Sequence, residues 1–315
     1  KSWVQLGNIN QTIDNALKSR YEKIRAKLFN VREERVHPQK DDKILSDWNG
    51  LMISAFARAA VILNEDKYQF LAENAANYVL STLRAKDGGL LKRSRKGEAG
   101  IHGLIEDYSF VIWGLIELYQ LTFNVEYLES AVELSDYQFE HFWDNDNGGF
   151  FFTSNTSEKL LIRNKEIYDG AIPSGNSVSA YNYIRLGRIM SRPDFEKVSF
   201  DIIESFSNNL KRYSSGYTML LHAIDFIEGP SYEVVVSGNK NKSKDILNYL
   251  YNNEQLNKVI IFNPASNKKR DNQFNFLENY KSGENNNPLV YVCKNYACNL
   301  PTNDLDLIEK QLSNK

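Results

Sequence analysis

The chain is poor in the residues that anchor most simple functional readings. Cysteine occurs twice in 315 residues, at Cys293 and Cys298. Their Cys-x4-Cys spacing is not a redox Cys-x-x-Cys, and no second pair completes a zinc site. Two structural thiols are therefore expected, ahead of a metal or disulfide role. So little cysteine also fits a reducing cytoplasm, the expected location. There are four histidines, with no His-x-x-x-His, no calcium loop and no Ser nucleophile elbow. No metal and no cofactor is expected. No apolar run approaches a membrane span, and the opening Lys-Ser-Trp-Val-Gln has no h-region of a signal peptide. There is no starting Met, from which a fragment, a processed product or a trimmed chain is expected. Lysine and arginine total 38 against 40 acidic residues, a net charge of −2. That leaves no basic excess to neutralise phosphates, and nucleic acid is excluded as a general partner. The densest basic run, Lys92-Arg93-Ser94-Arg95-Lys96, is short and followed by Gly97-Glu98, and reads as a solvated loop.

What the chain does have is apolar residues (42%) and aromatics (12%), enough for a substantial core in one large domain, or one plus a small second. It also has a repeat. An acidic residue opens an apolar helix at Asp47 (Asp47-Trp48-Asn49-Gly50), again at Asp107 (Glu106-Asp107-Tyr108), and roughly again at Asp169 (Tyr168-Asp169-Gly170). The separations are 60 and 62 residues, and Gly88-Gly89 recurs at Gly148-Gly149. A period of that size, with a helix pair in each, means stacked helical hairpins.

The periodicity predicts a helix over 9–33, a Pro38-containing loop, and helices over 47–63 and 66–84. It adds 105–122, apolar almost all round, and 125–143, apolar on one side. Further helices are expected at about 176–190, 194–213 and 217–227. Short strands follow each Gly-Gly turn, and 92–103 reads as a polar excursion. Alternation of all-apolar and one-sided helices implies two concentric layers, the logic of an α/α toroid. Three clear hairpins make an arc rather than a ring. Its apolar edges would be covered by an absent N-terminal part, by helix 9–33 or by a partner chain, a homo-oligomer included.

After Gly229-Pro230 the pattern changes. Runs 232–238, 258–262 and 289–293 read as strands, with helices at about 241–253 and 303–313. This predicts a small α/β unit with a parallel sheet. Val236-Ser237-Gly238 resembles half of a phosphate loop, which one glycine does little to support. The expected organisation is an α/α-toroid arc over 1–229 and an α/β unit over 230–315.

Four stretches carry a resemblance. They are Asp41-Asp42-Lys43-Ile44-Leu45-Ser46-Asp47-Trp48-Asn49-Gly50-Leu51-Met52, Glu106-Asp107-Tyr108-Ser109-Phe110, Asp169-Gly170-Ala171-Ile172-Pro173-Ser174-Gly175-Asn176-Ser177 and Tyr291-Val292-Cys293-Lys294-Asn295-Tyr296-Ala297-Cys298. Together they resemble the C-terminal half of the YyaL/spermatogenesis-associated protein 20 family, over most of residues 30–300. The resemblance implies a mainly α fold, a partial (α/α) toroid of helical hairpins followed by a small α/β unit. It also implies similarity to N-acylglucosamine 2-epimerases and six-hairpin glycosidases. Family members carry an N-terminal thioredoxin-like domain of the DUF255 type. That domain's cysteine motif has no counterpart here, so a redox site is not placed on this chain.

Sugar chemistry needs a general acid and a base or nucleophile flanking one bond. Asp47, Glu106, Asp107 and Asp169 are the candidates. Trp48, Tyr108 and Tyr168 are placed to stack on sugar faces, and Asn49, Ser174, Asn176 and Ser177 to bind hydroxyls. The plain alternative is that aspartate at a helix start is a cap, favoured by the helix dipole. Histidine suits proton shuttling at neutral pH. His102, four residues before Glu106, is the candidate, while His37, His141 and His222 make no evident pair with it. Arg163-Asn164-Lys165-Glu166 either binds an anionic sugar or pairs with acids on a ribbon. Two functions remain open. One is a carbohydrate-active domain, hydrolase or epimerase-like, taking a small sugar or glycan. The other is a non-catalytic module working with a thioredoxin-like domain.

Overall fold

A computed structural model of the chain describes residues 14–264 and 272–313. Contacts divide the chain into two units, one ending at Asp42 and one beginning at Lys43. The first holds helix α1 (Asp14–Glu33), with Arg25 and Glu22 paired on its surface at 2.9 Å. The expected start of this helix at residue 9 lies outside the described residues.

The second unit opens with hairpins. Helix α2 (Ser46–Leu63) is followed by α3 (Asp66–Thr82), α4 (Ile105–Thr122) by α5 (Val125–Phe142), and α6 (Gly175–Met190) by α7 (Pro193–Ser205) and the short α8 (Ser207–Arg212). Helix α9 (Thr218–Glu228) completes the series. The first member of each pair packs on its neighbours in the order α2–α4–α6–α9, and α3, α5 and α7 lie outside. This is an arc of an α/α toroid. Helix α4 shows why it sits inside: its buried residues occur on every side, from Ile105 through Phe110 and Leu115 to Tyr119. Helix α3 buries only Ala72, Ala76 and Val79, one stripe of an outer helix.

The α2–α4 crossing needs two glycines. A Cβ on Gly50 would lie 2.4 Å from the Phe110 carbonyl carbon, and one on Gly114 would lie 2.7 Å from the Gly50 carbonyl oxygen. Helix α6 is the most enclosed, although it carries Asn176, Ser179, Asn182 and Arg185. Several of its polar groups are matched internally. Ser179 shares hydrogen bonds with Ser109 and Gln138, and Asn182 donates to the Ser109 carbonyl. Satisfied polar groups are what a buried polar helix requires.

The two Gly-Gly turns do recur, bridging Arg84 to Leu90 and Trp143 to Phe150. The 92–103 segment is a β-hairpin and not an irregular excursion: β2 (Leu91–Arg95) pairs antiparallel with β3 (Glu98–His102) and, on its other edge, with β1 (Ile44–Leu45). The counterpart at 150–152 makes only the single bridge at Phe150.

From Tyr232 a sheet forms in the order β5–β4–β6–β7, with β4 (Tyr232–Gly238), β5 (Lys258–Pro264), β6 (Leu289–Lys294) and β7 (Ala297–Cys298). Helix α10 (Lys244–Asn252) links β4 to β5, which are parallel, and α11 (Leu305–Ser313) follows β7. The sheet is mixed, against the parallel expectation, since β6 runs antiparallel to β4. A parallel return needs a crossover, usually helical. The described residues between β5 and β6 form only 3-10 turns, Asn272–Asn279 and Glu284–Asn286.

The expected free thiols are a disulfide, Cys293–Cys298. The reason is register. Asn295 and Tyr296 take positive φ (51° and 63°) in the tight turn between β6 and β7, which sets the two cysteines opposite each other. Gly238 does not end a phosphate loop: it lies against Pro288, and the preceding Ser237 donates to the Tyr280 carbonyl. Among the described residues no helix is long and apolar enough to cross a membrane.

The sheet is joined to the hairpins by charge and by side-chain hooks. Arg188 of α6 reaches Glu233 at 2.8 Å and Glu196 at 3.2 Å. Gln120 of α4 accepts the Ile260 N–H at 2.9 Å.

Candidate functional site

The first four N–H groups of any helix lack partners inside it, and the helix dipole favours negative charge there. The inner helices share carboxylates to meet this need. Asp107, in the first turn of α4, accepts the Leu104 N–H at 2.7 Å through Oδ2. Its Oδ1 accepts the Asp47 N–H of α2 at 3.1 Å. One carboxylate thus ties together the starts of two neighbouring helices, 60 residues apart. Asp169 does the same one step along. Its Oδ1 accepts the Ser174 N–H at 2.9 Å, and its Oδ2 accepts the Met219 N–H of α9 at 2.8 Å.

Asp47 is not the N-cap that was expected. Helix α2 starts one residue earlier, Leu45 stands at the cap position, and Asp47 lies in the first turn. Its Oδ1 accepts the Trp48 N–H at 2.8 Å, and its Oδ2 receives Lys92 Nζ at 2.6 Å. Lys92 also reaches Asp107 Oδ1 at 3.2 Å. Lys92 is the residue the sequence reading misplaced. It is no solvated loop cation; it sits on β2, bridging two carboxylates whose side chains are 6% and 0% exposed. The available signal was the two-residue alternation of a strand: Ser94, on the same face, is buried and shares a hydrogen bond with Tyr78.

Burial pushes the Asp107 carboxyl up to about 7, against the opposing pull of Lys92 and the Leu104 N–H. Burial alone would lower the Lys92 ammonium, but the charges of Asp107 and Asp47 outweigh it and hold the group above its ordinary value. Glu106 is half-buried beside this cluster. Burial raises its carboxyl, Lys92 opposes the rise, and Asp47 and Glu166 add to it. The sequence reading passed over Glu166 as part of a ribbon run. In that run Lys165 pairs with Asp144 at 2.6 Å, and Arg163 donates to the Thr153 carbonyl.

Asp47, Glu106 and Asp107 therefore come together with Lys92, while Asp169 holds a separate pair of helix starts. Trp48 and Tyr168 are both 61% exposed, their rings open to solvent. Asn49 donates to the Leu45 carbonyl at 2.7 Å, within its own helix turn. Four assigned binders have their polar atoms engaged within the fold. Tyr108 is buried, its ring stacked on Tyr137 and its hydroxyl accepting the Leu90 N–H at 2.8 Å. Asn176 is wholly buried and holds Phe150 and Glu166 by main-chain bonds. Ser174 caps α6 by accepting the Ser177 N–H at 3.1 Å, and Ser177, fully buried, is bonded within the same cap. His102 ends β3 and is exposed. It acts on Asp87, whose carboxyl is held low chiefly by the Gly89 N–H and only lastly by His102. The charges that act on Glu106 are Lys92, Asp47 and Glu166, not His102. Among the described residues no group of three His, Cys, Asp or Glu side chains is placed to hold a metal.

No protein-family model matches the chain. It is similar to spermatogenesis-associated protein 20 of Rattus norvegicus, 32% identical over 293 residues that cover 88% of this chain and 37% of that protein. The Homo sapiens protein of the same name is 31% identical over the same shares. Among solved structures, cellobiose 2-epimerase from Bacillus thermoamylovorans is similar over 54% of this chain and 46% of that one, at 17% identity and a TM-score of 0.46. Unsaturated glucuronyl hydrolase from Bacillus sp. GL1 is similar over 56% of this chain and 50% of that one, at 14% identity and a TM-score of 0.45. The chain spans about 37% of the length of the mammalian relatives it matches. The chain thus matches the spermatogenesis-associated protein 20 family over 88% of its own length, corresponding to a part of those proteins.

Proposed function

We propose that the chain is a carbohydrate-active domain, a hydrolase or isomerase of sugars, with Glu106 as its proton-handling carboxyl. The observation that carries this reading is the setting of Glu106. It is half-buried, its carboxyl is raised by burial, and it stands beside Lys92, Asp47 and Glu166. A raised carboxyl near a second carboxylate is the arrangement a general acid needs. Trp48, next to Asp47, and Tyr168, next to Asp169, offer open rings at the same end of the inner helices. Asp47, Asp107 and Lys92 act here as the positioning framework rather than as reacting groups.

The test compares wild type with Glu106→Gln and Trp48→Ala on a panel of monosaccharides and oligosaccharides, reading binding and turnover separately. Glu106→Gln is expected to lower turnover by about 10²–10⁴-fold with binding retained. Trp48→Ala is expected to weaken binding. Equal turnover in wild type and Glu106→Gln removes the reading.

A second reading is a non-catalytic module that presents a target to a thioredoxin-like domain. What favours it is that the oxygens of Asp47, Asp107 and Asp169 are engaged by main-chain N–H groups and Lys92. It expects no sugar turnover and a stable complex with such a domain supplied in trans. Failure of the two pieces to associate sinks it.

A further inference from the structure

A cavity of about 160 Å³ lies where the second halves of α2, α4 and α6 meet the α/β unit, at the opposite end of the inner helices from Glu106. Arg58, Glu117, Arg185 and Lys258 line it, with Tyr181 and Leu256 among the flanking walls. Three cations thus face one carboxylate. Arg185 is 3% exposed, and its guanidinium lies 4.8 Å above the Tyr181 ring, which fixes its plane. Its Nη1 forms an ion pair with Glu117 Oε1 at 2.8 Å, but off the hydrogen-bond direction, which leaves this buried nitrogen without a well-directed acceptor. Glu117 Oε1 already accepts the Trp113 Nε1–H at 3.1 Å. Lys258 rests on the Asn253 and Gln255 carbonyls, both neutral. A buried guanidinium N–H without a well-directed acceptor is costly, even beside a paired charge, unless something accepts from it.

We infer that this cavity binds a small carboxylate, held by Arg185 and by the charges of Arg58 and Lys258, with its apolar stem against Val61, Ile62 and Leu256. A guanidinium presents paired N–H groups that match a carboxylate. The apolar walls favour a carboxylate with a short hydrocarbon body over inorganic phosphate. The volume is below the roughly 300–1,000 Å³ of drug-sized sites, which sets the ligand as small.

The experiment titrates the full chain with butyrate and, separately, with inorganic phosphate, by calorimetry at constant ionic strength. Butyrate is expected to bind, and Arg185→Lys, which keeps the charge but loses the fork, to weaken it by about tenfold. Because Arg185 is buried and its variant can misfold, Arg58→Gln at the exposed rim is measured too, with a weakening of about threefold expected. Circular dichroism verifies folding of both. No butyrate binding to wild type overturns the inference. So does binding that neither variant weakens, and so does phosphate binding as tight as butyrate.

Discussion

The Lys92 bridge allows a sharp test, the substitution Lys92→Met. Methionine keeps most of the aliphatic stem and removes the charge. Lys92 Nζ is 2.6 Å from Asp47 Oδ2 and 3.2 Å from Asp107 Oδ1, and both carboxylates are nearly or wholly inaccessible. Taking one partner from a buried ion cluster leaves uncompensated charge and costs about 3–5 kcal/mol. The loss carries a pH signature. Asp107 titrates at about 7 in the native state against an ordinary value of 3.8, so its native value is raised. A raised carboxyl contributes stability at low pH that is lost as pH climbs through the native value. Without Lys92 that value rises further. At pH 5 Asp107 is protonated in both proteins, and its share of the difference vanishes; above about 7 only the wild type has a cation to receive its charge. The expected loss is therefore largest at pH 9 and smaller at pH 5, changing by at most about 1.4 kcal/mol per pH unit for one carboxyl. Urea denaturation followed by circular dichroism at pH 5, 7 and 9 measures it. A loss below about 1 kcal/mol at pH 9, or an equal loss at pH 5 and 9, refutes the reasoning.

Three further outcomes are expected. Gly50→Ala puts a methyl 2.4 Å from the Phe110 backbone, forces α2 and α4 apart, and should cost about 2–3 kcal/mol or more in denaturant midpoint experiments. Asp169→Ala strips the acceptor from the Ser174 and Met219 N–H groups; a loss of about 1–3 kcal/mol is expected, with faster hydrogen exchange at the start of α9. Free-thiol titration of the unfolded chain should find no thiol until reductant is added, and Cys293→Ser should cost about 2 kcal/mol for so short a loop.

The repeat was legible because it is written in local chemistry. Apolar periodicity placed α2 through α5 within a few residues, and the Gly-Gly turns and the aspartates kept their spacing in the fold. The burial of α4 followed from its apolar residues on all sides. Helix α6 is different. Its Asn, Ser and Arg side chains gave a pattern that does not announce a central helix. Only the partners on α4 and α5, Ser109 and Gln138 among them, make that burial tolerable.

What the sequence determined by itself is the run of helices from α2 to α5, their alternation of apolar faces, and the acidic residue in the first turns of α2 and α4, because each depends on residues within a turn or two; α6 starts at Gly175, six residues past Asp169, and the expected 194–213 helix is divided into α7 and α8. What only the tertiary structure decided is the company those residues keep. Lys92 looks like a surface cation until β2 sets it between Asp47 and Asp107, 45 and 15 residues away. Tyr108, Ser174 and Asn176 look available until the ribbons and helix starts take up their polar atoms. Cys293 meets Cys298 because β6 turns back on itself, and β6 runs antiparallel to β4 because of how the chain returns to the sheet. Contacts between residues distant in the chain depend on how elements pack, and a local pattern holds no record of that.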